Sequence, residues 1–246
     1  MLYHPSAAVT RTPADIGLAF DSVGFATADS GTPQLRGWWI RSGPSAHYTV
    51  LYLHGQNGNL GDTLDNLASL HNAGVNVLAF DYRGYGQSQF VHPSEARWRQ
   101  DAECALQYLL ATRHVDPRSI VLDGSDLGAN LALEIAASHP EFAGVVLESP
   151  LDAPINTIFG DPRAQLVPAH LLVSDRFDLD APAVALRIPS LWYLPEPPRG
   201  QSESTESSRA FQRITAKKLW IWLTPSSQSH GTISDALSRW IDDLHK

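Results

Sequence analysis

One cysteine, Cys104, and one methionine, Met1, are all the sulfur in this chain. A lone thiol excludes an internal disulfide framework and fits a reducing compartment. Long apolar runs are missing too. No stretch approaches the roughly 20 residues that a membrane-crossing helix needs. The opening Met1-Leu2-Tyr3-His4-Pro5 lacks the basic and apolar regions of a signal peptide. The expectation is a cytoplasmic protein with no stable membrane insertion. Basic residues are scarce, 18 against 26 acidic ones, for a net charge of −8. With no basic cluster, a nucleic-acid partner is not expected. There is no HExxH and no CxxC, and the histidines show no metal-ligand spacing. Gly84-Tyr85-Gly86 lacks the rest of a dinucleotide fingerprint. Neither a metal nor a cofactor is expected; the partner expected is a small-molecule substrate or ligand.

What is present is an alternation. Short apolar runs at Tyr48–Leu53, Val75–Phe80, Ile120–Leu122, Val145–Leu147, Leu191–Leu194 and Leu219–Leu223 read as strands. Between them lie helix-period stripes. The first is Leu60, Leu64, Leu67 and His71. The second is Trp98, Ala102, Ala105, Leu106 and Leu109, which Ser94 can cap, and the third carries Leu131 and Ile135. A final stripe runs from Ile233 to Leu244. Apolar strands alternating with amphipathic helices predict an α/β fold, with a mostly parallel sheet covered on both faces. Val23 to Ile40 reads as an antiparallel N-terminal hairpin turning at Asp29-Ser30-Gly31. With no repeat or linker, residues 1–246 are expected to form a single domain. Residues 150–187 have room for a small helical, cap-like insertion, a minimal lid. Residues 195–209, rich in Pro, Ser and Glu, read as an exposed loop.

Gly124-Ser125-Asp126-Leu127-Gly128 sits between a predicted strand and a predicted helix. Gly-x-nucleophile-x-Gly in that setting is a nucleophile elbow. The glycines allow a tight turn, and the central side chain is pushed out of the sheet. Leu127 opens the helix, so its N–H is free for an oxyanion. The same sequence also suits a glycine-rich connection with aspartate as a helix cap.

The chain resembles the small α/β-hydrolase-domain serine hydrolases, a group of bacterial esterases and eukaryotic depalmitoylases. The likeness rests on several motifs in the family's order. Gly37-Trp38-Trp39 matches the opening hairpin. His54-Gly55-Gln56-Asn57-Gly58-Asn59 matches the oxyanion loop, and Asp81-Tyr82-Arg83-Gly84-Tyr85-Gly86-Gln87-Ser88 the loop after the next strand. The elbow, Glu148-Ser149-Pro150 and Ser229-His230-Gly231 complete the series. The resemblance implies an α/β-hydrolase fold in which Gln56 supplies a second oxyanion N–H beside Leu127. It makes His230 the catalytic base. His54, Asp81, Arg83 and His139 read as structural.

The chain departs from the family at two points. Asp126 stands where the family has serine. A carboxylate has no proton to give and is a weak nucleophile toward esters, since attack forms an anhydride that reverts. It is competent at saturated carbon bearing a leaving group. Dehalogenases and epoxide hydrolases on this fold work that way, although they usually follow the nucleophile with Trp rather than Leu127 and carry a larger cap. The second departure is the acid that orients the histidine, since the family's Asp falls on Pro198 here. Glu196 and Asp152 are the nearby candidates. Three readings follow: a hydrolase of ester-type or other small acyl or alkyl substrates, an inactive pseudo-hydrolase that binds a ligand or protein, or a serine esterase carrying a substitution at its nucleophile.

Overall fold

The computed structural model describes residues 2–27, 30–152, 175–196, 205–223 and 230–244, with the backbone alone at Pro33, Pro195 and residues 230–233. Ten strands lie among them: β1 (His4–Pro5), β2 (Phe20–Ala26), β3 (Pro33–Ile40), β4 (Thr49–Leu53), β5 (Asn57–Gly58), β6 (Asn76–Asp81), β7 (Ile120–Ser125), β8 (Gly144–Glu148), β9 (Ser190–Pro195) and β10 (Lys218–Leu223). Eight form one sheet in the order β10-β9-β8-β7-β4-β6-β3-β2. Pairing is parallel from β10 through β6, and β3 runs antiparallel to both β6 and β2. The α/β architecture and the N-terminal hairpin therefore match the sequence reading. Of the expected turn, Ser30 and Gly31 are described and Asp29 is not.

Every residue of β4 is buried, because helices cover both faces of the sheet. The period of two divides each strand between two cores. Leu51, Leu53, Leu122, Val145 and Leu147 face α2 (Glu95–Gln107) and α3 (Leu127–Ser138). Val50, Tyr52, Val121, Val146 and Tyr193 face α1 (Leu64–Asn72) and the final helix. Gly144 makes room for that helix, since a Cβ there would come within 2.7 Å of the Trp240 ring.

Two boundaries differ from expectation. The stripe from Leu60 starts as a 3₁₀ turn, Leu60–Asp62, because the Asn59 side chain accepts from the Gly61 amide at 2.8 Å. The α-helix proper begins at Leu64. The predicted loop 195–209 ends early. Thr205 caps a helix over Glu206–Arg213, accepting from the Ser208 amide at 3.1 Å. Residues 197–204 lie outside the described residues. A short helix, Asp180–Ala185, falls within the expected insertion 150–187, of which 153–174 is not described. In chain order these two helices are α4 (Asp180–Ala185) and α5 (Glu206–Arg213), and the last is α6 (His230–Asp243).

Both flanks of residues 153–174 are pinned by side chains. The buried Asn130 of α3 donates to the carbonyls of Leu151 (2.8 Å) and Phe177 (2.7 Å) and accepts from the Leu151 amide at 3.0 Å. Glu95 accepts from the amides of Arg176 and Phe177, and Tyr3 donates to Asp175 at 2.7 Å. Arg83, after β6, is buried against Asp101 of α2. Its Nε donates to Oδ1 at 2.6 Å and its amide to Oδ2 at 2.8 Å. Removing one partner strands a buried charge. Asp101→Ala is expected to lose about 3–5 kcal/mol in urea denaturation. A change within about 0.5 kcal/mol would show that the pair is dispensable.

Candidate active site

The elbow forms where β7 meets α3. Two glycines permit a close approach that no side chain could share. A Cβ on Gly128 would lie 2.1 Å from the Leu53 carbonyl oxygen, and one on Gly124 would lie 2.2 Å from that of Gly128. The helix start is thus pressed against the end of β4. Asp126 takes the bend at φ 52°, ψ −123°, a conformation rarely held by a residue with a side chain. Its N–H donates to the Glu148 carbonyl at 2.9 Å, and its carbonyl accepts from the Ala129 amide at 3.0 Å. Its carboxylate makes no capping bond to its own helix. It leans instead over Gly55, where an added Cβ would meet Oδ2 at 2.7 Å. Burial raises the Asp126 carboxyl above its ordinary value.

The loop after β4 lies alongside. The short parallel pair β1–β5 ties the N-terminus to it. The Gln56 carbonyl accepts from the His4 amide and from the Tyr85 hydroxyl, both at 2.9 Å. The Leu127 amide donates to Gln56 Oε1 at 3.4 Å. Gln56, Leu127 and Asp126 are therefore gathered at one place, and a side-chain carbonyl stands in front of the helix N-terminus.

Beside Asp126 is a cavity of about 210 Å³ lined by Asn66, Ser125, Asp126, Glu148, Ser149, Tyr193 and Leu223. The sequence reading missed most of this lining. Ser125 and Glu148 are register partners on β7 and β8, so their side chains emerge together. Ser125 Oγ donates to Glu148 Oε2 at 2.8 Å, and the Asn66 amide donates to the same oxygen. The Tyr52 hydroxyl lies 3.1 Å from Ser125 Oγ. Burial pushes Glu148 up to about 7, against the lowering pull of its Ser125 and Asn66 hydrogen bonds, and the nearby Asp126 adds to the rise. Asp123, two residues before Ser125, is wholly buried, and neither carboxylate oxygen has a hydrogen-bond partner among the described residues. Burial first, then Glu148, raises its carboxyl well above the ordinary range. The missed signal was the pair Asp123 and Ser125, two residues apart at the end of a strand that opens with apolar Ile120–Leu122.

His230 opens α6, and its side chain lies outside the described residues, as does Pro198. Asp152 is exposed and accepts from the Glu206 amide at 3.1 Å, at the start of α5. Glu196 is exposed after β9, its amide donating to Leu223 at 3.2 Å. His54 is buried, with Nδ1 2.8 Å from the Gly55 carbonyl, and burial pushes it down to about 4. Asp81 accepts from the Leu60 amide at 2.9 Å, and burial pushes it up to about 7. His139 bonds Glu141 at 2.8 Å. Among the described residues no group of three His, Cys, Asp or Glu is placed to hold a metal, and no helix is long and apolar enough to cross a membrane.

Glu148 gives the fold a pH dependence of defined sign. Its ordinary value is 4.5, and its folded value is about 7. Between the two, the folded chain holds a proton that the unfolded chain has released, so stability falls as pH rises through that window and then levels off. Glu148→Gln removes this contribution. Its urea midpoint is expected to fall less than that of the unsubstituted chain between about pH 5 and pH 7.5. Equal slopes in the two proteins would contradict the assignment.

Comparison with known proteins agrees with this fold. The family profile described as serine aminopeptidase, S33, matches residues 44–191. The protein Rv2307c of Mycobacterium tuberculosis is 34% identical over 155 residues, which are 61% of this chain and 52% of that protein. Human alpha/beta hydrolase domain-containing protein 17C is 33% identical over 126 residues, 51% of this chain and 38% of that protein. The matches thus span about half or less of these relatives. Among solved structures, a Pyrococcus furiosus esterase superposes with a TM-score of 0.74 at 18% identity, covering 99% of this chain and 98% of that one. An alpha-beta hydrolase from Vibrio vulnificus gives 0.70 at 21% identity, covering 94% and 81%. With its elbow, its sheet order and a profile match over more than half its length, the chain belongs to the S33-type α/β-hydrolase family.

Proposed function

We propose that this chain is a hydrolase of a small acyl or alkyl substrate held in the cavity beside Asp126, with Asp126 in the nucleophile position and His230 as base. One observation carries the proposal. Asp126 occupies a positive-φ bend, caps nothing, and lines a cavity. A side chain held in a rarely populated conformation, and aimed at open space, fits a functional role better than a structural one. Family membership supports hydrolysis by analogy of scaffold.

The chemistry follows from the carboxylate. At a saturated carbon, an Asp126 oxygen forms a bond to carbon as the leaving group departs. His230 then takes a proton from water, which attacks the resulting ester carbonyl, and returns it to the alkyl oxygen as that bond breaks, so the alcohol leaves and the Asp126 carboxylate is restored. The Leu127 and Gln56 backbone amides are the proposed donors to the developing oxyanion, and the Gln56 side chain must first swing away from Leu127. Asp152 and Glu196 are the candidates to orient His230. Asp152 already holds the start of α5, which favours Glu196. The work is assigned to the cytoplasm, on the single cysteine, and to one domain spanning residues 1–246.

A second reading has its own observation. The Leu127 amide is already occupied by Gln56 Oε1, as it would be in a family member that keeps the pocket and binds a ligand without turning it over.

Halide release from short haloalkanes and opening of terminal epoxides separate the two. His230→Ala is expected to slow turnover by roughly 10²–10⁴-fold and to accumulate an alkyl ester on Asp126, detectable by mass spectrometry. Asp126→Ala is expected to form neither product nor adduct. Turnover untouched by Asp126→Ala would overturn the role of Asp126. The absence of both turnover and adduct in every form would favour the ligand-binding reading.

A further inference from the structure

The same cavity holds a hydroxyl that the Asp126 reading leaves unused. Ser125 lines it beside Asp126, with Oγ 2.8 Å from Glu148 Oε2. The alignment is built in, because Ser125 and Glu148 face each other across the β7–β8 ladder. Tyr52 lies 3.1 Å from the same hydroxyl. Burial keeps the Tyr52 phenol far above its ordinary value and therefore protonated. If Ser125 donates to Glu148, Tyr52 donates to Ser125, and the chain Tyr52–Ser125–Glu148 has one direction.

The geometry points to Ser125 as an acyl-accepting nucleophile of this cavity, with Glu148 as its general base. The inference goes beyond the Asp126 reading, which concerns a different nucleophile and substrates attacked at saturated carbon. It assigns activated carboxylic esters to the hydroxyl, where a carboxylate is the poorer nucleophile.

Atoms balance through Glu148. Ser125 Oγ bonds to the acyl carbon as its proton passes to the Glu148 carboxylate. The bond from carbon to the leaving oxygen breaks, and Glu148 returns the proton to that oxygen. Water then attacks the acyl-Ser125 ester, giving its proton to Glu148, which passes it back to Oγ as the acid departs. Tyr52 and Asn66 are the hydrogen-bond donors in contact with this pair.

Glu148 is suited to the task. At about 7 it is ionised near neutral pH yet more basic than an ordinary carboxylate. Among the described residues, the titratable groups facing it are Asp123 and Asp126 from β7 and the elbow, Tyr52 from β4 and Tyr193 from β9, with Arg239 of α6 acting on Tyr193. Burial first, and then Glu148, raise the Asp123 carboxyl well above its ordinary value.

The test uses the full chain and p-nitrophenyl acetate, with release of p-nitrophenolate followed across pH and the acetylated site located by fragmentation mass spectrometry. The expected result is an acetyl group on Ser125 of the unsubstituted protein. Ser125→Ala is expected to abolish it, and Ser125→Cys to carry it as a thioester. The labelling rate should rise with pH through about 7, and Glu148→Gln should lower it by roughly 10²-fold and flatten the profile. An acetyl group on any other residue, no acetylation at all, or a Glu148→Gln profile that still rises as before would overturn the proposal. Mapping on the unsubstituted chain makes the outcome independent of how well the variants fold. An alkyl adduct on Asp126 from a haloalkane is scored separately, so either nucleophile can fail alone.

Discussion

The site depends on one steric constraint: the start of α3 is pressed against the end of β4. Gly128 lies so close to the carbonyls of Leu53 and His54 that any side chain there would collide with backbone, and Gly124 lies equally close to Gly128. A helix docked this tightly leaves the residue just before it no ordinary conformation, and Asp126 takes the positive-φ bend. Its amide is held by Glu148 across the sheet, so the side chain has one direction left, outward over Gly55. The two cores beneath supply the rigidity. Leu51 and Leu53 on one face of β4, and Val50 and Tyr52 on the other, leave the strand no freedom to yield.

That constraint has an electrostatic consequence. Three carboxylates, Asp123, Asp126 and Glu148, are brought to the ends of two adjacent strands. Burial raises all three, while Ser125 and Asn66 hold Glu148 down. Charges that cannot be hydrated stay protonated or find donors. Glu148 finds donors, while Asp123 finds none among the described residues. The result is three neighbouring carboxyl groups raised to different extents: Asp123 at the back, Glu148 in the middle, and Asp126 at the cavity. Groups pushed apart in this way are the raw material of acid–base chemistry.

Much of the fold was legible because it rests on period and composition. The apolar runs from Thr49 to Leu53 and from Ile120 to Leu122 are strands because buried parallel strands must be apolar throughout. The elbow was legible because only glycine suits its two close contacts. Helix α5 was not. Its N-terminal half, Glu206-Ser207-Ser208-Arg209, is polar and follows a Pro- and Ser-rich stretch, and its helical signal is the Thr205 cap rather than an apolar stripe. Of the candidate site, Asp126, Leu127 and Gln56 were placed by motif, and the structure gathers them. Ser125 and Glu148 were passed over because their partnership is one of strand register, which neither local sequence reveals. Asp152, read as a possible acid, accepts from the amide at the start of α5, a pairing 54 residues apart in the chain that the sequence did not suggest.

The most direct measurement concerns the aim of position 126. If the elbow's backbone, and not the aspartate, decides where that side chain points, then a serine placed there inherits the same exposure to the cavity. Asp126→Ser should react with a fluorophosphonate, with the phosphonyl group located on residue 126 by fragmentation and lost in the double variant that also carries His230→Ala. A folded Asp126→Ser protein whose residue 126 stays unlabelled, or labels just as fast without His230, would contradict the account.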